Sequence, residues 1–283
     1  LDGFGGKLDS AVLWHADGRH PAARYLVVGV GRKKELTRET LWRASAAARA
    51  RATELKARTA GIALLPGEGR KEEAAVRIAA GGFLHGCYRF DKYQSSPKGG
   101  REPSELVVGI GKSEPRQLAP VLEEVRVVDR AIRLARDLVS EHPAYLHPEK
   151  MSEVASLEAR KAGLKCAIME EDEMKRLGMG GMLGVSRGSE HPAVMIHLHH
   201  KPRGERKKSR VVLVGKGVTF DTGGISLKQP DGMEAMKADM AGAAAVLSTL
   251  LCVAALKIPV EVHGLLMMVE NMPDGRSIRP GDI

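Results

Sequence analysis

Apolar and polar positions along this chain group into two kinds of run. Short, continuous stretches of β-branched and aliphatic residues occur at 25–30, 61–65, 106–110, 165–169, 193–198, 210–214 and 260–268. Longer Ala/Leu/Arg/Glu stretches lie between several of them, at about 37–58, 71–86, 118–141, 148–162 and 234–256. The first kind predicts strands and the second helices, and their alternation indicates βαβ units with a largely parallel sheet. The continuous apolar strands, VVLV at 211–214 among them, fit a sheet covered on both faces. Gly99, Gly100, Pro103 and Pro115 cluster around one strand and mark a boundary. They divide the chain into an N-terminal α/β domain (1–117) and a C-terminal domain (118–283), the latter entered by a helix at about 118–141. That helix stops at HPAYLHP, where Pro143 and Pro148 forbid its continuation. LVVGVGRKKEL (26–36) and LVVGIGKSEPR (106–116) echo each other as a strand plus a Gly-x-Gly turn, too few copies to make a repeat.

Composition narrows the class. With 43% hydrophobic and 28% charged residues, the chain can bury a core and is neither disordered, collagenous nor a pure coiled coil. Aromatics at 4% favour closely packed helix-on-sheet layers over a β-sandwich. The balance of 44 basic against 35 acidic residues gives +9, which permits contact with nucleic acid but is accounted for by a solvated basic face. The basic runs ARARATELKAR (48–58) and RGERKKSR (203–210) are not interleaved with aromatics, so nucleic-acid binding is secondary. Cys87, Cys166 and Cys252 are odd in number, far apart and form no CxxC, which argues for a reducing, cytoplasmic setting. The longest apolar stretch, 241–256, is too short to span a bilayer, so no membrane contact is expected. The opening LDGFGGKLDS lacks both a Met and a signal-peptide pattern, and the chain reads as an excerpt.

Several motifs have plainer readings. Gly29-Val30-Gly31 and Gly109-Ile110-Gly111 begin like dinucleotide fingerprints, but Lys34 and Arg116 stand where the next small residue belongs, so tight turns account for them. Gly184-Val185-Ser186-Arg187-Gly188 fits the G-x-S-x-G elbow, yet its flanks read as a Gly-rich loop rather than strand and helix. His197 and His199 share a face of a strand that ends at His200, either a metal pair or a solvated polar edge.

The segment 211–239, VVLVGKGVTFDTGGISLKQPDGMEAMKAD, brings the most chemistry together. A strand runs into Lys216; Asp221, Lys228 and Asp239 follow across a Gly223-Gly224 turn, where α/β folds place their ligands. Two carboxylates and two amines there are costly to desolvate unless paired or metal-bound. On the residues alone, a pair of salt bridges at a sheet edge is slightly the better reading.

VGKGVTFDTGGISLK with MKADMAGAAA resembles the signature of the cytosolic leucyl aminopeptidase family, two-metal exopeptidases. The likeness extends through GLLMMVENMPDGRSIRPGDI (264–283) and GMGGMLGVSRGSEHPAVMIHLHH (178–200), and more loosely over the first 115 or so residues. It implies an N-terminal α/β domain and a catalytic α/β domain with a mixed, mainly parallel sheet. Carried over residue by residue, Lys216, Asp221 and Asp239 match metal ligands, with Asp221 bridging two Mn²⁺ or Zn²⁺ ions. Lys228 matches the catalytic lysine and Met236 a residue lining the pocket for a Leu-like side chain. The resemblance further implies peptide substrates, a homohexamer and a bicarbonate base. The family's second ligand motif, Asn-Thr-Asp-Ala-Glu-Gly-Arg, should fall about fifteen residues beyond Ile283, so these 283 residues alone are expected to be inactive. Ala144 stands where the family often has asparagine, which touches turn support rather than chemistry. A DNA-binding or non-catalytic relative is the alternative.

Overall fold

A computed structural model describes residues 3–63, 71–86, 88–96, 105–109, 115–202, 209–280 and 282. The chain forms two compact units, residues 1–129 and 130–283. In the first, β1 (Ala11–His15) and β2 (Arg24–Val28) make an antiparallel hairpin. Gly29 and Gly31 after β2 donate to the carbonyls of Ser10 and Gly6, so the first Gly-x-Gly is a structural turn. Helix α1 (Arg38–Glu54) opens at a reciprocal cap between Thr37 and Thr40, which satisfies two otherwise orphan donors. Then come β3 (Thr59–Ala63), α2 (Lys71–His85) and β4 (Glu105–Gly109), with β3 and β4 parallel. The second Gly-x-Gly loop, most of 203–210 and Cys87 lie outside the described residues. Helix α3 (Pro115–Ser140) supplies Leu118 and Val121 to a small core with Val76, and Arg77 grips Glu124 through two hydrogen bonds of 3.0 and 2.8 Å.

The second unit contains α4 (Pro148–Ala162), β5 (Lys165–Met169), α5 (Glu171–Arg176), α6 (Gly180–Ser186), β6 (Val194–His200), β7 (Arg210–Asp221), a 3₁₀ helix (Met233–Met240), α7 (Ala241–Ala255) and β8 (Glu261–Asn271). Pro148 at the first helical position and Gly163 in the left-handed conformation bracket α4. The strands lie in the order β5-β6-β8-β7. One sheet face is the core: Ile196, Leu198, Leu266 and Met268 meet Met151 and Ala155 of α4 and Leu247 and Leu250 of α7, all 0% exposed. The run Met233–Ala255 is apolar and long enough to cross a membrane, yet within it Ala243, Ala244, Leu247 and Leu250 are wholly buried, as in a core helix.

Several details differ from the sequence reading. The sheet is mixed, but only β7–β8 is parallel, with the crossover through α7 between them; β5–β6 and β6–β8 are antiparallel. The run VVLV is not buried: β7 is an edge strand among the described residues, with Val212 57% and Val214 63% exposed. β8 is flanked on both sides by β6 and β7. Residues 180–186 form α6 rather than loop, with Ser186 buried and its hydroxyl turned to the Leu183 carbonyl.

Candidate metal centre

Backbone proximity builds this region. A Cβ on Gly215 would stand 2.7 Å from Ala243 Cα, and one on Gly242 would stand 2.9 Å from Lys216 N. Only glycine lets the start of α7 lie on β7 at that distance. The 3₁₀ helix before α7 is thereby held beside the strand, and Asp239 Oδ2 comes to 2.8 Å from Lys216 Nζ. The approach leaves that buried oxygen without a well-directed hydrogen bond. An orphaned carboxylate oxygen facing an amine is the kind of donor pair a divalent cation would complete.

Further along β7 a bulge between Val218 and Asp221 re-aims the strand end, where Asp221 pairs with Asn271. Gly223 (φ 90°) and Gly224 (φ 70°) then turn the chain back, and Lys228 N donates to the Thr222 carbonyl at 2.9 Å. Lys228 thus arrives over Asp221, with Nζ 2.7 Å from Oδ2. Asp221 Oδ1 accepts from Asn271 Nδ2 at 2.7 Å and from Gly223 N at 3.0 Å. Partial burial pushes this carboxyl up, but Lys228, Asn271 and the Gly223 N–H outweigh it and hold it down at about 2.

The five expected residues therefore fall into two clusters. Lys216 meets Asp239, and Lys228 meets Asp221 and, at 3.3 Å, the Met236 sulfur. Met236 and Asp239 are eclipsed one turn apart on the 3₁₀ helix, about 6 Å along its axis, which links the two clusters. A cleft of about 270 Å³ opens beside the turn, lined by Gly223, Gly224, Asn271 and Ile278. Asn271, which orients Asp221, carried no signal in the sequence. Among the described residues, two other groups could hold an ion: His147–Glu149–His191 and His199–Glu261–His263. Of the anticipated histidines, His199 belongs to the second, His197 Nε2 lies 2.9 Å from His263 Nδ1, and His200 bonds the Ile258 carbonyl instead.

Two profiles of one protein family cover most of this chain. The catalytic domain of the cytosol aminopeptidase family matches residues 133–283, and its N-terminal domain matches residues 1–97. The chain belongs to the cytosol aminopeptidase family. It is 41% identical to a probable cytosol aminopeptidase of Geobacter sp. (strain M21), covering 99% of this chain and 57% of that protein. A probable cytosol aminopeptidase of Caulobacter vibrioides is 40% identical over 93% of this chain and 52% of its own length. Among solved structures, the bottromycin maturation enzyme BotP in complex with Mn superposes with a TM-score of 0.85 at 37% identity, over 99% of this chain and 58% of that one. The chain thus spans a little over half the length of the relatives it matches.

Proposed function

We propose that this chain carries the first half of a metal-dependent aminopeptidase centre that releases N-terminal, Leu-like residues from peptides. The observation that carries the reading is the convergence of Lys216, Asp239, Asp221, Lys228 and Met236 around one 3₁₀ helix and one β-strand end. Two divalent ions, Mn²⁺ or Zn²⁺, would supply Lewis acidity toward a water and the scissile carbonyl. Lys216 and Asp239 would hold one ion, Lys216 in its neutral form, and Asp221 would bridge to the other. The Asn271 amide and Gly223 N–H fix the Asp221 carboxylate so that it stays ionised and aimed. Lys228 has to remain an ammonium to donate to the developing oxyanion. The Met236 thioether, in contact with Lys228, would line the side-chain pocket with a flexible apolar wall. A bicarbonate base, a cytoplasmic setting and a hexameric assembly belong to the same reading, taken from the family likeness.

The test uses the natural protein that carries this chain, with Leu-p-nitroanilide as substrate. We expect turnover with Mn²⁺ or Zn²⁺, abolished by 1,10-phenanthroline and indifferent to a serine-directed fluorophosphonate. Chelator-resistant turnover stopped by the fluorophosphonate would overturn the assignment.

A further inference from the structure

We propose that His199, Glu261 and His263 form a second cation site, on the β6–β8 strand pair, suited to a Zn²⁺-class transition ion. It is built from strand alternation. Ile196, Leu198, Val262 and Leu266 face the core under α4 and α7, so His197, His199, Glu261 and His263 stand together on the opposite face. His199 is the direct cross-strand partner of His263, and their rings stack with centroids 4.2 Å apart. Glu261, two residues from His263 and on the same face of β8, sets its Oε1 3.1 Å from His199 Nε2 and 3.4 Å from His263 Nε2.

Those separations have a chemical reading. Donors bound at roughly 2.0–2.1 Å around a tetrahedral Zn²⁺ stand about 3.3 Å from one another. Both carboxylate-to-imidazole edges of such a site already exist, and the three donor atoms lie within 4.8 Å of one another. Two imidazole nitrogens and one carboxylate oxygen suit Zn²⁺ and its neighbours rather than Ca²⁺ or Mg²⁺. The surroundings fix the ligands in turn. His263 Nδ1 lies 2.9 Å from His197 Nε2, so a proton on Nδ1 donated to His197 leaves the His263 Nε2 lone pair facing Glu261. The other Glu261 oxygen accepts from Arg210 Nε at 3.3 Å. The three ligand side chains are only 13–23% exposed.

The second trio serves as an internal control. His147 and His191 also stack, at 4.1 Å, with Glu149 Oε2 2.7 and 3.3 Å from their Nδ1 atoms. Its members are 26–37% exposed, a more open and less constrained arrangement.

The experiment uses the whole chain carrying Lys216→Ala and Asp221→Asn, which disables the candidate aminopeptidase centre and makes the outcome independent of that reading. After chelator treatment, Zn²⁺ binding is measured by calorimetry and Co²⁺ binding by visible absorption. We expect one Zn²⁺ per chain and the intense d–d bands of low-coordinate Co²⁺. His199→Ala and Glu261→Gln should abolish both, His197→Ala should weaken binding by about 10–100-fold at unchanged stoichiometry, and His147→Ala should change neither. The proposal is overturned if the background chain binds no Zn²⁺, if His199→Ala and Glu261→Gln bind as it does, or if only His147→Ala loses the ion. Should circular dichroism show that His199→Ala is unfolded, the near-isosteric Glu261→Gln decides.

Discussion

Two polar clusters stand on one sheet, and they neutralise charge in different ways. Along the second half of β7 and just beyond it, amines face carboxylates, Lys216 with Asp239 and Lys228 with Asp221. Across β6 and β8, one carboxylate faces two largely buried imidazoles, and burial holds His199 below the ordinary imidazole pKa. In the first cluster, Asp221 and Lys228 sit where the strand ends in a bulge and a glycine turn, and Asp239 is brought in by the start of α7, so its geometry depends on how those segments close on the strand. The second sits within paired strands, so the ladder itself sets its geometry. Charge-paired groups at a strand end suit a centre that exchanges ligands and handles substrate. Imidazole and carboxylate donors on a rigid ladder suit an ion that stays in place.

The largest expected effect tests whether the clusters depend on a common core. Leu198 lies between His197 and His199 but points to the other face, wholly buried. Leu198→Ala should cost about 2–5 kcal/mol in urea unfolding, the range for a Leu removed from a close-packed interior. A loss below about 1 kcal/mol would mean that the β6 core face is loosely packed and that the ladder is not a rigid support for the cluster.

Next in size is the division of labour between the lysines. In the natural protein, Lys228→Ala should lower kcat by about 10²–10³-fold, the scale of one lost oxyanion donor, with metal content unchanged. Lys216→Ala should lower metal content itself. Equal metal loss in both variants would contradict the assigned roles.

How far these clusters could be read in the sequence follows from what each depends on. Helix α4 was legible to its ends because Pro148 and Gly163 mark them chemically. Strand β7 was read as 210–214 but runs to Asp221, since Gly215 and Gly217 interrupt the β-branched run. Those glycines are required by neighbours, α7 for the first and Met268 for the second, which no local pattern reveals. The burial expected for VVLV failed because apolar composition does not say which strand lies at the edge. In the His/Glu cluster, alternation in EVHG places Glu261 and His263 on one face, but only the register puts His199 opposite His263. The resemblance supplied Lys216, Asp221 and Asp239 together; spacing alone left them as salt bridges.

Acid should separate the clusters in the metal-free, chelated chain. His197 and His199 have folded pKa values below the ordinary imidazole value, so their contribution is present above about pH 6.5 and is lost as pH falls below it. Asp221, held at about 2 against an ordinary 3.8, contributes above about pH 4 and loses that contribution as pH falls toward 2. A shift of that size corresponds to about 2 kcal/mol. Chemical denaturation across pH should show two steps, with His199→Gln removing part of the upper one and Asp221→Asn the lower one. A single step below pH 4 would mean that the imidazoles are as solvated in the folded chain as in the unfolded one.

The smallest effect concerns Arg210, a long cation at the edge of the histidine cluster. Arg210 reaches Glu261 from the first residue of an edge strand, with its side chain 74% exposed. An ion pair with so exposed a partner gives up long-side-chain entropy and is screened by salt, so it contributes little. The histidines, by contrast, approach Glu261 from within the ladder, at positions fixed by strand pairing. Arg210→Ala should therefore leave the melting temperature near that of the parent chain and change Zn²⁺ affinity by at most about fivefold, the scale of an exposed ion pair. The difference should disappear in 1 M NaCl, where the Debye length falls to about 3 Å. A larger, salt-resistant loss would show that Glu261 is oriented by Arg210 and not by the ladder, and the contrast between the two clusters would then fail, since both would rest on a cation paired with a carboxylate.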